Sequence, residues 1–150
     1  MSSDEETFRR LAVELRILEG TAEALQSRMN LVGAALTELR VASMTLEGVE
    51  KEKKNAPLFV PIGGGSYVKA KLDSVEEVIV GIGADVAVER TMKEARENLE
   101  NRIAELEKTG NTLRQQLNDV IGKIQGHRSE LEEMTAKLRE RERTSGVRKT

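Results

Sequence analysis

The chain has 150 residues, of which 33% are charged and only 2% aromatic, so it offers little bulky material for a large globular core. Acids and bases are interleaved with a net charge of -2, which excludes a strongly basic nucleic-acid-binding domain. Cysteine is absent, which excludes disulfides and thiolate metal sites, and no apolar stretch approaches the roughly 20 residues of a membrane-spanning helix. We therefore expect an elongated cytoplasmic protein that binds neither nucleic acid nor membrane.

The N-terminal third of the chain carries a heptad pattern that predicts a long helix packed against another helix. Apolar side chains recur at alternating spacings of three and four residues from Phe8 to Leu46, which is typical of a coiled-coil seam. Ser3 and Glu6 have the spacing of a capping box, so we expect the helix to begin near Asp4. The polar run before the first proline predicts that it ends at residues 53–55.

Between residues 57 and 90 the period changes to two and β-branched residues replace leucine, which predicts strands. Turn residues at Gly63–Gly65 and Gly83–Asp85 divide this segment into four strands, and the simplest arrangement is two β-hairpins. Pro57 and Pro61 lack backbone donors, which confines the first strand to an edge or to irregular pairing. Such short strands leave an apolar face in water, so the insert predicts assembly with other subunits. The expected assembly residues are Leu58, Val60, Ile62, Val68, Ala70, Leu72, Val78, Val80, Ile82 and Val86.

A second heptad pattern runs from Met92 to Leu138 and predicts a second long helix, with Thr91 and Glu94 as its capping box. We expect the residues after Leu138 to fray into a disordered tail. Polar or small residues interrupt this seam at three positions, which are Arg96, Gly110 and His127.

Candidate catalytic and ligand-binding motifs all have simpler structural interpretations. His127 is the sole histidine and lies on the seam, so a register or packing role is favoured over a metal ligand or catalytic base. Gly63–Gly65 is followed neither by Lys-Ser or Lys-Thr nor by a helix, which favours a turn over a phosphate-binding loop. We expect no catalytic residue, cofactor site or metal site, and an enzyme ranks last among the functions considered.

The basic side chains beyond the second seam have the charge needed to bind nucleic-acid phosphates. They alternate with acids and lack the aromatic side chains that stack on bases, so a solvated tail is favoured. These residues are Arg139, Arg141, Arg143, Arg148 and Lys149.

The fold class predicted by these patterns is mainly α: a long antiparallel two-helix coiled coil with two β-hairpins inserted between the helices. The hairpins are expected to assemble with strands of other subunits. One structural unit would comprise an N-terminal helix at residues 1–56, a β-hairpin oligomerisation module at 57–90, and a C-terminal helix with a flexible tail at 91–150.

The insert also resembles a known family. Residues 56–68 read Ala-Pro-Leu-Phe-Val-Pro-Ile-Gly-Gly-Gly-Ser-Tyr-Val, and residues 78–90 read Val-Ile-Val-Gly-Ile-Gly-Ala-Asp-Val-Ala-Val-Glu-Arg. With the flanking heptads, which extend the likeness from about Glu6 to Leu138, they resemble the alpha class of the prefoldin family. The paired hairpins favour the alpha class over the beta class, which carries one hairpin.

This resemblance implies an ATP-independent molecular chaperone that needs no cofactor. Members of the family assemble from two alpha and four beta subunits, with the hairpins in a central double barrel and the coiled coils extending from it as tentacles. They hold unfolded polypeptides at the tentacle tips and pass them to a group II chaperonin. The resemblance also implies an archaeal or eukaryotic cytoplasm.

The ends of the two seams are the expected client-binding site. Because the second seam is longer than the first, we expect one helix to overhang the other and to expose apolar seam side chains near the chain termini. Several weak contacts on one client would then give avidity without ATP. The candidate residues, inferred from their positions in this chain, are Phe8, Leu11, Leu15, Leu131, Met134 and Leu138.

Two other functions remain open at this stage. A structural or tethering coiled coil would bind dedicated helices, form a dimer and show no preference for unfolded chains. A prefoldin-like subunit of a different assembly would be isolated without beta subunits.

Overall fold

The computed structural model describes residues 3–147 as two helices with four strands between them. The elements are α1 (Ser3–Glu50), β1 (Pro57–Gly63), β2 (Ser66–Lys71), β3 (Glu77–Gly83), β4 (Val86–Thr91) and α2 (Met92–Val147). The strands form two separate antiparallel hairpins, β1–β2 and β3–β4, which confirms the predicted fold class of two long helices flanking two hairpins. Within residues 3–147, no helix is long and apolar enough to cross a membrane.

Two compact units divide the chain, and each contains segments of both helices. We call Gly33–Lys108 the hairpin unit, because it holds the four strands, and we call the described residues 3–32 and 109–147 the terminal unit. Ion pairs between α1 and α2 in each unit join rising residue numbers on α1 to falling numbers on α2. The two helices are therefore antiparallel within each unit.

The two predicted seams form the core of each unit. Every seam position from Phe8 to Leu46 on α1, and from Met92 to Leu138 on α2, is buried or half-buried. This is the burial expected when one stripe of each helix packs against the other. The most deeply buried side chains are no more than 8% exposed, and they are Leu11, Leu25, Leu39, Met92, Ala95, Leu113 and Ile124.

The first helix begins near the predicted residue and ends earlier than predicted. Ser3 is itself helical, and the last helical residue is Glu50 rather than one of residues 53–55. The amides of the two residues after Glu50 donate to carbonyls three residues back, which tightens the last turn. Asn55, at a left-handed φ of 68°, then donates its amide to the Leu72 carbonyl at 2.7 Å. The helix therefore ends where the chain pairs with the residue that follows β2. Heptad spacing does not reveal this pairing.

The second helix begins as predicted, at a reciprocal capping box. The Glu94 amide donates to Thr91 Oγ1 at 3.2 Å, and the Thr91 amide donates to Glu94 Oε2 at 3.4 Å. Each side chain therefore satisfies an amide that the first helical turn leaves without a partner. This box fixes the point at which β4 gives way to α2.

The second helix continues further than predicted. It runs to Val147, so the disordered tail expected after Leu138 is wrong for residues 139–147. Arg141 Nη1 donates to Asp4 Oδ2 at 3.0 Å, which ties this last part of α2 to the start of α1. The arginines and glutamates at residues 139–143 are good helix formers and favour this extension. Two residues of the predicted basic tail lie outside the described residues, namely Arg148 and Lys149.

Both hairpins close on two-residue turns with a left-handed backbone, at the predicted positions. The φ angles are 60° and 75° at Gly64 and Gly65, and 50° and 59° at Ala84 and Asp85. Positive φ at both central residues is the pattern of type I′ turns, whose twist matches that of paired strands. In each hairpin the register shifts beside the turn, which adds local twist.

Candidate assembly and client-binding sites

The first hairpin presents the predicted assembly side chains on one face. Leu58 pairs with Ala70, and Val60 with Val68, so alternation along the strands places these four residues together. Leu58 and Ala70 are half-buried, whereas Val60 and Val68 are exposed, as is Ile62 at the bulge beside the turn. An apolar face on a two-stranded sheet therefore remains largely uncovered in the single chain.

The second hairpin divides its predicted assembly residues between two environments. Val78 and Val80 are half-buried and face a partly open cavity of about 350 Å³ within the hairpin unit. Ile82 and Val86, beside the turn, are exposed, and Leu72 lies half-buried in the segment before this hairpin. The helix residues that line the cavity include Ala42, Leu46, Ala95 and Leu99.

The opposite face of the first hairpin carries aromatic residues that were absent from the prediction. Phe59 is 70% exposed and Tyr67 is 63% exposed, and with Lys69 they line a shallow surface depression. Ile79 is similarly exposed on the other hairpin. Alternation along β1 and β2 places Phe59 and Tyr67 on the face opposite Val60 and Val68. Both faces of β1–β2 therefore offer apolar contact area.

Two carboxylates lie close together on the second hairpin. A hydrogen bond with Glu89, followed by repulsion from its charge, raises the pKa of Glu77 above its ordinary value. Glu77 and Glu89 belong to neighbouring strands, β3 and β4, where like charges oppose pairing. The hairpin thus carries an unfavourable charge pair near the end that joins α2.

The predicted client-binding residues lie along the seam between the helices, and the structure contradicts the expected exposure of Leu11. Leu11 is only 5% exposed. The Arg141–Asp4 hydrogen bond joins the helices beyond the last seam residues. The prediction compared the lengths of the two seams, but both helices continue past them, to Ser3 and to Val147. The other five predicted residues are half-buried, and they are Phe8, Leu15, Leu131, Met134 and Leu138.

His127 bridges the two helices of the terminal unit. Its Nε2 lies 2.8 Å from Glu14 Oε2 on α1, and its Nδ1 lies 2.8 Å from the Lys123 carbonyl oxygen on α2. Both neighbours are acceptors, so both ring nitrogens donate only when the imidazole is protonated. The hydrogen bond to Glu14, and then that to Lys123, raises the pKa of His127 above its ordinary value. This contact across the seam agrees with a packing role.

The other two interruptions of the second seam also have defined surroundings. Arg96 Nη1 donates to Glu50 Oε2 at 2.5 Å, while its buried Nε has no hydrogen-bond partner among residues 3–147. Gly110 is half-buried, and a Cβ added there would lie 3.5 Å from Val32 Cγ1. All three interruptions therefore lie in the interface between the helices and are not turned toward solvent.

Comparison with known proteins identifies the family. The family described as "Prefoldin subunit" matches residues 18–141, which is most of the chain. The chain belongs to the prefoldin family. Prefoldins are molecular chaperones and do not form a class of enzymes.

Individual relatives agree with the predicted alpha class of prefoldin. The chain is 30% identical over 130 residues to "Prefoldin subunit alpha" of Methanobrevibacter smithii, covering 85% of this chain and 88% of the relative. It is 32% identical over 133 residues to the protein of that name from Pyrococcus horikoshii, covering 88% and 82%. It is 38% identical over 107 residues to that of Methanosarcina barkeri, covering 69% and 74%.

A solved prefoldin structure shares the fold. A chain in the cryo-EM structure of filamentous PFD from Methanocaldococcus jannaschii aligns with a TM-score of 0.66 and 23% sequence identity. The alignment covers 77% of this chain and 95% of that chain. The arrangement of two helices around two hairpins is therefore a prefoldin arrangement.

Proposed function

We propose that this chain is a prefoldin alpha subunit that acts as an ATP-independent holdase in the cytoplasm. It would assemble with prefoldin beta subunits, two alpha with four beta, and hold unfolded polypeptides at the ends of its coiled coil. It would then pass these clients to a group II chaperonin. The observation that carries the proposal is the pair of hairpins with uncovered apolar faces, set between seam-forming helices in a chain whose relatives are named prefoldin subunit alpha.

Assembly through the hairpins follows from what the isolated chain leaves uncovered. Each hairpin is a two-stranded sheet, so both of its outer edges lack strand partners within the described residues. Exposed apolar side chains near these edges include Val60, Ile62, Ile82 and Val86. Strands from other subunits would satisfy the edges and cover these side chains, which would close the sheet into a barrel.

Client capture at the seam ends requires the helix ends to separate. Phe8, Met134 and Leu138 are half-buried between the helices, and a client would replace the contacts that each helix makes with the other. One large apolar side chain transferred to a client contributes about 1.5 to 3 kcal/mol at most. Single contacts are therefore weak and reversible, while several coiled coils acting on one client provide avidity.

Native mass measurement of the chain, with and without a prefoldin beta subunit, tests the assembly. We expect a complex of two alpha and four beta subunits, and we expect Ile62→Lys to prevent it by placing a charge on the assembly face. Ile121→Lys, on α2 in the terminal unit, is the matched control and should assemble normally. A dimer that ignores the beta subunit would instead support the tethering coiled coil.

Removal of the seam ends tests client capture. Deleting residues 1–11 and 135–150 should leave assembly through the hairpins intact, because no strand is altered. Suppression of the aggregation of an unfolded client, followed by light scattering, should be lost. Undiminished suppression by the trimmed complex would show that these residues do not bind the client.

A further inference from the structure

The face of the first hairpin opposite the assembly residues combines aromatic rings with lysines. Phe59 pairs directly with Lys69 across the two strands, and Tyr67 lies on the same face two residues before Lys69. Both rings are largely exposed, and with Lys69 they line one shallow depression. Alternation along β1 and β2 places no acidic residue on this face. We call it the aromatic face, and it consists of Pro57, Phe59, Pro61, Tyr67, Lys69 and Lys71.

More lysines lie beside one end of the aromatic face. The Asn55 amide donates to the Leu72 carbonyl, and the Leu72 amide donates to the Ala56 carbonyl, so the segment before β1 is held against the residue that follows β2. The end of β2 carries Lys71, and the segment before β1 carries three further lysines within residues 51–54. Within residues 3–147, no ion pair joins any of these exposed lysines to a carboxylate, and the five are Lys51, Lys53, Lys54, Lys69 and Lys71.

The charge of this region is opposite to that of the whole chain. Residues 51–72 contain five lysines and a single acid, Glu52, whereas the complete chain has a net charge of -2. The whole-chain charge, which predicts no nucleic-acid partner, averages over this basic segment. An anionic partner is therefore attracted to the first hairpin.

The second hairpin lacks both features of the aromatic face. At the position equivalent to Phe59, Ile79 pairs with Glu89. Nearer the turn, Gly81 pairs with Ala87. The corresponding face of β3 and β4 thus carries neither an aromatic ring nor a lysine, and its charged residues are acids. It serves as an internal control for the first hairpin.

We propose that the aromatic face binds single-stranded nucleic acid, with bases stacked on Phe59 and Tyr67 and phosphates beside the lysines. Every base has a flat π face, and proteins that bind single strands without sequence preference combine aromatic stacking platforms with a basic path for the backbone. Bases within a duplex are already stacked on one another, so a duplex can contact only the lysines. The ligand is therefore a single strand, and both RNA and DNA have the required chemistry.

An acidic polypeptide would pair with the lysines but would leave the two rings unused. An aromatic side chain that anchors a protein partner is enclosed in a well-packed, desolvated pocket. Phe59 and Tyr67 line a shallow depression instead and remain largely exposed. Stacking of a base needs only an open ring face, so the geometry favours nucleic acid over an acidic polypeptide.

The site is compatible with the proposed assembly and does not depend on the proposed client capture. The predicted assembly residues of β1 and β2 lie on the opposite face of the hairpin. Other subunits can therefore cover those residues while the aromatic face stays in solvent. Nucleic-acid binding is expected of both the single chain and the assembled complex.

Fluorescence anisotropy of labelled oligouridylate and oligothymidylate, each of about 12 nucleotides, tests the proposal. The full-length chain, alone and assembled with a prefoldin beta subunit, should bind both probes, and an unlabelled duplex of equal length should compete poorly. Phe59→Leu and Tyr67→Leu keep an apolar side chain but remove the ring, and each should weaken binding about tenfold. Ile79→Leu, at the equivalent position of the second hairpin, is the matched control and should leave the affinity unchanged.

Tyr67 provides a direct signal, because it is the sole tyrosine and the chain contains no tryptophan. A base stacked on its ring should quench the tyrosine fluorescence, whereas polyglutamate should not. The lysines are tested by salt, because each phosphate contact to a single strand contributes about 0.7 to the slope of log affinity against log salt concentration. Lys69→Gln combined with Lys71→Gln should therefore make this slope shallower by about 1.4.

Four results would overturn the inference. The first is that neither probe binds. The second is equal affinity of Phe59→Leu, Tyr67→Leu and the unchanged chain, which would show that the rings take no part. The third is tighter binding of polyglutamate than of either probe, which would assign the face to acidic polypeptides. The fourth is binding that disappears on assembly with the beta subunit, which would identify the face as a subunit contact.

Discussion

At the scale of single residues, His127 shows how one polar side chain can be accommodated in an apolar seam. Its two ring nitrogens face a carboxylate on α1 and a backbone carbonyl of α2. Protonation satisfies both contacts at once, whereas the neutral ring leaves one acceptor facing another. The neutral ring can still donate from Nε2 to Glu14, so protonation adds the contact with the Lys123 carbonyl and a positive charge beside the Glu14 carboxylate.

This geometry predicts that the stability of the terminal unit depends on pH. Because folding raises the pKa of His127, its contribution is complete below the unfolded value of about 6.5 and is lost as pH rises through the folded pKa. The thermal midpoint should exceed that of a His127→Gln variant at about pH 5.5, and the difference should shrink toward about pH 8.5. Circular dichroism melts across this range measure it. A difference that stays constant with pH would contradict the prediction.

Ala84 occupies a backbone conformation that disfavours its side chain. Its φ of 50° matches that of Gly64 in the other hairpin, which has 60°. In this region a residue with a Cβ destabilises the folded state by about 1 to 2 kcal/mol relative to glycine. Glycine in turn makes the unfolded chain more flexible, which lowers the free energy of unfolding by about 0.4 to 1 kcal/mol. Ala84→Gly should therefore stabilise the protein by about 0.5 to 1 kcal/mol in denaturant unfolding. Gly64→Ala, the reverse change in the equivalent turn, should destabilise it.

At the scale of elements, Arg96 is the least favourable position in the second seam. Its guanidinium pairs with Glu50, but its buried Nε lacks a partner among the described residues. Arg96→Met should be neutral or stabilising by up to about 2 kcal/mol, because an apolar side chain completes the seam. Glu50→Ala should destabilise by about 1 kcal/mol, because it leaves the arginine unpaired. If both variants lowered the thermal midpoint by the same amount, the ion pair itself would be shown to stabilise the seam.

Gly110 leaves space in the seam that one methyl group can fill. The added Cβ of Gly110→Ala would meet Val32 at 3.5 Å, an ordinary van der Waals separation. The change should raise stability by about 1 kcal/mol through helix propensity, with a further gain from this contact. Gly122→Ala has open space around the added Cβ, so its stability should rise only through the higher helix propensity of alanine. A loss of stability in Gly110→Ala, measured against Gly122→Ala, would mean that the helices cannot accommodate the methyl group.

The helices and strands could be predicted where the sequence pattern was local or periodic. The seams, the Thr91–Glu94 box and the two turns depend on spacing along the chain, and the structure confirms them. The end of α1 depends on pairing of Asn55 with Leu72, which spacing does not encode. The predicted exposure of Leu11 was wrong for a related reason. Burial at this position depends on how far both helices continue, and the lengths of the seams do not give that distance.

At the scale of the whole molecule, the proposed function assigns assembly and client capture to separate parts of the chain. The hairpin unit carries uncovered strand edges and apolar side chains, whereas the terminal unit holds its apolar seam closed. A subunit built in this way can remain assembled while its seam ends open and close. Under the proposed function, client capture depends on an equilibrium between closed and separated helix ends.

Locking the helix ends tests whether this opening is required. In the cysteine-free chain, Asp4→Cys and Arg141→Cys can be joined by a short bis-maleimide, which replaces their hydrogen bond with a covalent link. If clients bind the separated ends, the locked complex should lose most of its suppression of client aggregation, measured by light scattering. The same link at Glu19→Cys and Arg128→Cys, an inner pair of the same unit, leaves the ends free to open and should preserve suppression. Full suppression by the Asp4–Arg141 lock would place the client on a surface outside the seam.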